Sequence, residues 1–79
     1  MKLYLLTQIV TTGYDTYDAC VVAAYSEEDA KTIHPSKYAK WDDFYPCWAL
    51  QPNQVTATLI GDAEDNISRG VVLASFNAG

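Results

Sequence analysis

The sequence predicts a small α+β fold: a mainly antiparallel four-stranded sheet with one short helix, in the order β-β-α-β-β, and a long aromatic-rich loop before the third strand. Three observations carry that expectation. Short runs rich in branched and aromatic side chains fall at 2–10, 17–25, 55–60 and 70–76. A single helix start, Ser26-Glu27-Glu28-Asp29, follows the second run. Between 34 and 53 the pattern loses any period and is interrupted by Pro35, Pro46 and Pro52. Seventy-nine residues suffice for one domain, 1–79. A core that small hides roughly 60–65% of the unfolded chain's surface, so stability should be modest or helped by oligomerisation.

The first run, Lys2 to Val10, partly alternates, as a strand buried on at least one face does. Gly13, Asp15 and Asp18 then favour a hairpin turn through backbone freedom and local side-chain hydrogen bonds. Ala19-Cys20-Val21-Val22-Ala23-Ala24-Tyr25 is nearly continuously apolar, the pattern of a central strand covered on both faces. In Ser26-Glu27-Glu28-Asp29 a capping hydroxyl precedes three acids that complement the exposed amides of a first helical turn. Asp29 makes a variant of the capping box, and Ala30 and Ile33 share an apolar face. Pro35 forces His34 out of helical geometry, which limits the helix to 26–33, two turns that hold only when docked on the sheet. Val55 to Ile60 alternates as a half-buried strand, 61–66 is an acidic turn, and Gly70 to Phe76 supplies the fourth strand.

Composition narrows the function classes. An apolar content of 49%, spread along the chain, excludes a disordered protein. Ten acids against five Lys and Arg give a net charge of -5, which argues against duplex DNA and anionic membranes as partners. The start, Met1 to Gln8, is too short and too polar for a signal peptide, and no apolar segment could span a bilayer, so a cytoplasmic protein is expected. Cys20 and Cys47 lack the paired spacing of a zinc site and read as reduced thiols. Neither a metal nor a cofactor is expected. The Asp-Thr-Tyr-Asp sequence that starts at Asp15 falls short of a calcium loop.

The candidate binding chemistry lies in two places. Between Lys31 and Trp48 the chain gathers Lys31, His34, Lys37 and Lys40 beside Tyr38, Trp41, Phe44, Tyr45 and Trp48. Cations attract an anionic group and flat rings offer a stacking surface, which together suit a nucleotide-like ligand. Trp41, Phe44, Tyr45 and Trp48 are spaced to share one face of a helical turn, and either pin the loop to the sheet as a satellite core or stack on a ligand or partner. Tyr14, Asp15, Thr16, Tyr17 and Asp18 form either a solvated hairpin turn or a polar grip for a ribose. Arg69 either offsets Asp62, Glu64 and Asp65 or serves as a bidentate donor to phosphate.

His34 is the only histidine, so general-base chemistry would rest on it alone. Its bland role is to cap the helix C-terminus. Triads can be drawn from His34, Asp43 and either Ser36 or Cys47, yet no nucleophile elbow or related motif supports them. An enzyme using His34 or Cys47 is therefore the weakest of the readings. The chain also ends directly after its fourth strand, and an exposed sheet edge invites pairing with a second subunit.

Gly13-Tyr14-Asp15-Thr16-Tyr17-Asp18, Ser26-Glu27-Glu28-Asp29-Ala30 with Ile33-His34-Pro35, and Gly70-Val71-Val72-Leu73-Ala74-Ser75-Phe76-Asn77-Ala78-Gly79 resemble segments of a group of small phage and prophage proteins. The resemblance spans nearly the whole chain, matches least at 36–53, and transfers no residue roles. It implies an accessory protein that counters host defence inside an infected bacterium, by blocking a defence complex or by sequestering a nucleotide-derived immune signal. The leading expectation is thus a non-enzymatic, homo-oligomeric binding protein holding a small anionic ligand at a subunit junction. Tyr14, Asp15, Tyr17, Asp18, His34, Lys37, Lys40, Trp41, Trp48 and Arg69 are its candidate ligand residues. The second expectation is a protein-interaction inhibitor of a host defence complex, such as an anti-CRISPR.

Overall fold

The computed structural model describes residues 1–36, 39 and 41–77. Four antiparallel strands, β1 (Lys2–Thr7), β2 (Thr16–Ala24), β3 (Thr56–Asp62) and β4 (Gly70–Asn77), form one sheet in the order β3-β1-β2-β4. A single helix, α1 (Glu27–Lys31), follows β2, and a one-turn 3-10 helix, Pro52–Gln54, precedes β3. The α+β class and the β-β-α-β-β order are those the sequence predicts.

Register divides the strands into two faces, with one-residue slips at Ile60, Asp18 and Val72. On one face Leu59, Tyr4, Val22 and Val71 form a cross-strand row, and Ala57, Leu6, Cys20 and Ala74 form the next. Ala30 and Ile33 from the helix region, and Trp48, Ala49 and Val55 from the loop, close over these rows to make the core. The opposite face carries the rows Thr58-Leu5-Val21-Leu73 and Thr56-Thr7-Ala19-Ser75, with no charged residue in either. Among the described residues no element covers it. The continuous apolar run in β2 is thus a strand covered on one face only, and its outward side carries Ala19, Val21 and Ala23.

β1 ends at Thr7, not at Val10, because the Gln8 side chain takes over from the ladder. Its Nε2 donates to the carbonyls of Thr11 (2.6 Å) and Tyr17 (3.2 Å), while its Oε1 accepts from the N–H groups of Val10 (2.9 Å) and Thr11 (2.8 Å). Both donors and both acceptor lone pairs of the amide are used, so a buried Gln sits here without penalty. Ile9 and Val10 are left exposed on the resulting turn.

The helix is shorter than the predicted 26–33. Ser26 caps it, accepting from Asp29 N–H at 3.1 Å, while the Asp29 carboxylate reaches back to the Tyr25 N–H at 3.0 Å. That is a capping box shifted by one residue at its outer partner. At the other end Thr32 and Ile33 donate to the carbonyls three residues back, and the Thr32 hydroxyl also bonds Asp29 C=O, which tightens and stops the helix. Thr32, not His34, is the C-cap.

Candidate functional site

The hairpin turn is held from two sides. Gly13, at φ 103, and Asp15, at φ 60, take up left-handed backbone that shortens the turn. Thr16 Oγ1 and Asn77 Nδ2 both donate to the Gly13 carbonyl, at 2.7 and 3.0 Å, and the Asp15 N–H bonds the carbonyl of Asn77. The turn therefore belongs to the end of β4. Tyr14 projects into solvent, and Asp18 is exposed at a bulge where β2 and β4 slip register. Tyr17 turns inward, packs on the core, and meets Phe76 edge-on with ring centroids 4.8 Å apart. Of the four candidates here, Tyr17 alone faces a cavity.

That cavity is a cleft of about 510 Å³ between the loop segment 33–36 and the β2–β4 side of the covered face. Ile33, Pro35 and Val71 make its apolar wall, and Tyr17, His34 and Ser36 bring polar groups to it. His34 is fixed at one side. Its Nδ1 accepts the Ser36 N–H at 3.0 Å, and its ring stands edge-on to Trp41 at 5.2 Å. Burial holds the imidazole below its usual 6.5, so at neutral pH the ring is uncharged. The same Nδ1 lies 3.1 Å from the Ser36 carbonyl oxygen, so both backbone groups of Ser36 border this edge of the ring.

The remaining candidates disperse. Trp48 is fully buried in the core, so its ring faces side chains and offers no stacking surface. Its indole N–H has no hydrogen-bond partner among the described residues. Arg69 grips Asp29 through Nε at 3.0 Å and Nη2 at 2.8 Å, and Nη2 also reaches Thr32 Oγ1. The arginine thus clamps the entrance of β4 to the helix, in place of a phosphate and of the nearby acids. The same pair holds the Asp29 carboxyl below the usual carboxylate range. Lys31 lies 3.9 Å from Glu27 one helical turn away. Lys37, Tyr38 and Lys40 lie outside the described residues.

No helix links Trp41 to Trp48; this stretch runs in bends and turns, and the rings diverge. Trp41 packs on the core, while Phe44 and Tyr45, both 84% exposed, stand edge-on to each other at 4.8 Å. The loop is pinned to the sheet where the Tyr17 N–H donates to the Cys47 carbonyl at 2.8 Å. Burial pushes the Cys47 thiol up, away from the thiolate a nucleophile needs, and pushes Cys20 up to about 11. Among the described residues no group of three or more His, Cys, Asp or Glu is placed to hold a metal ion, and no helix is long and apolar enough to cross a membrane.

Two structural contributors escape sequence reasoning. Gln8 and Val71 are the residues that shape the turn and the cleft wall, and neither type carries a motif. A polar residue closing an apolar strand run, just before a glycine turn, was the available signal for Gln8.

No protein-family model, curated protein or solved structure matches this chain. The functional reading therefore rests on the cleft.

Proposed function

We propose that the protein is a non-enzymatic binding protein that holds a small, flat, anionic ligand in the cleft between Tyr17 and His34. One observation carries the reading. A cleft of about 510 Å³, lined by apolar side chains together with a tyrosine and a neutral imidazole, has the size and the sparse polar furnishing of small-molecule sites. The Tyr17 and His34 rings would border a base-like ring. Lys37 and Lys40, next along the loop from Ser36, are the cations that the sequence offers for phosphate. Within the resemblance to small phage proteins, such a site fits sequestration of a nucleotide-derived immune signal inside an infected bacterium.

The test is native mass spectrometry and calorimetry against a panel of cyclic and ADP-ribose-derived nucleotides. Val71 lines the cleft and is partly exposed, so it can be changed without opening the core. Val71→Asp is expected to abolish binding through like-charge repulsion, and Val71→Lys to preserve it. Wild-type protein that captures none of the panel, or binding that ignores both changes, removes the reading.

A second reading has its own observation. The Phe44–Tyr45 pair projects from the loop with no packing role in the core, as an anchor for a partner protein does. Under this reading the protein inhibits a host defence complex by contact. Phe44→Ala with Tyr45→Ala would then release a defence protein in pull-downs while leaving nucleotide capture unchanged.

A further inference from the structure

We infer that the open face of the sheet is an interface with a second copy of this chain, packed face to face as a two-layer β-sandwich. The argument begins with charge. The chain carries a net charge of -5, yet the three open-face rows Gly61-Leu3-Ala23-Gly70, Thr58-Leu5-Val21-Leu73 and Thr56-Thr7-Ala19-Ser75 hold only apolar, hydroxyl and glycine residues, with Asp18 at the bulge beside Ala19 and Asn77 beyond it at that end of the face. Two equally acidic molecules repel except where they can meet without bringing carboxylates together, and this face is such a surface. Six of the ten acids, Glu27, Glu28, Asp42, Asp43, Glu64 and Asp65, lie on the helix and the connecting loops instead, and Asp18 is the one acid within β2.

Shape agrees with charge. The central row runs Thr58-Leu5-Val21-Leu73, and Leu73 is 69% exposed at its end. Beside this ridge lies an apolar groove of about 160 Å³ between Leu5, Ala19, Val21, Leu73 and Ser75. An apolar space of about 150 Å³ takes a benzene-sized group, so the groove can receive a leucine side chain from a facing sheet. Ridge and groove on one surface are what a two-fold, self-complementary contact requires.

Area decides whether such a contact would hold. Four strands about 4.8 Å apart, each presenting some seven residues at about 3.4 Å, give a flat footprint of roughly 450 Å². Two faces give about 900 Å² in plan, and side-chain relief raises the accessible area to about the 1,000 Å² that a specific interface must clear. Aligned sheets about 10 Å apart are the ordinary way for two such faces to pack. The cleft lies on the opposite side of each sheet, so both clefts stay open in the dimer. The inference is independent of the ligand reading.

Sedimentation equilibrium of the full chain tests it. The wild type is expected to dimerise in the micromolar range, and Leu73→Asp and Thr58→Lys, at exposed ends of the central row, to weaken association by about tenfold or more through a buried, unpaired charge. Circular dichroism should show the same sheet signal in all three, because neither side chain is in the core. A wild type that remains monomeric at about 100 μM, or a dimer indifferent to both substitutions, overturns the inference.

Discussion

The two faces of the sheet are made of similar residues and have opposite fates. On the covered face Tyr4, Leu6 and Val22 disappear beneath Trp48, Ala30 and Ile33. On the open face Leu5 and Val21, one residue away along the same strands, are only half-buried, and Leu73 stands in solvent. Strand composition alone does not explain the contrast. The long loop does, because it returns to the sheet through the Cys47 carbonyl and brings Trp48 with it. Among the described residues a layer is supplied to one side only, and the other side keeps an exposed apolar surface.

The largest effects should come from removing the covering layer. Trp48→Ala is expected to cost about 3–5 kcal/mol, a large share of the stability of a domain this size, read from denaturant titration. Leu6→Ala should cost about 2–5 kcal/mol, whereas Leu73→Ala, measured at a dilution where the chain is monomeric, should stay within about 0.5 kcal/mol. Equal losses at Leu6 and Leu73 would break the distinction between the faces.

Trp48→Phe sharpens it. A smaller aromatic ring is kept and the unpartnered buried N–H is removed, so the lost packing is offset in part and the change should cost clearly less than Trp48→Ala. A loss as large as that of Trp48→Ala would mean that the indole nitrogen has a partner. Ser26→Ala, which strips the cap from α1, should cost about 1 kcal/mol by the same titration.

The smallest effect is a pH slope. Burial depresses the pKa of His34 below 6.5, so the unfolded chain binds the proton first as pH falls. Stability should therefore be level above about 6.5, decline as pH drops through that value, and level again below the folded pKa. His34→Asn, which can still accept from Ser36 N–H, should flatten this part of the profile. A slope that survives the substitution would assign it to another group.

Much of the fold was legible because its signals are local. The Ser26 cap with its three following acids marks the helix start by short-range hydrogen bonding, and the branched runs mark the strands. Boundaries moved where side chains competed with the backbone: Gln8 ended β1 early, and the Thr32 hydroxyl ended the helix before Ile33. The candidate site was less legible. Tyr17 and His34 were singled out and do meet one cleft, but Trp48 proved to be core and Arg69 a clamp on Asp29, forty positions away in sequence.

The sequence by itself determined the strands, the capped helix and the acidic turns, since each follows from side chains acting on their own stretch of backbone. Only the tertiary structure decided which aromatic rings are core, which cation is already paired, and which sheet face is covered. Those depend on where a loop returns and how many layers stack on the sheet, and neither is a property of any short segment.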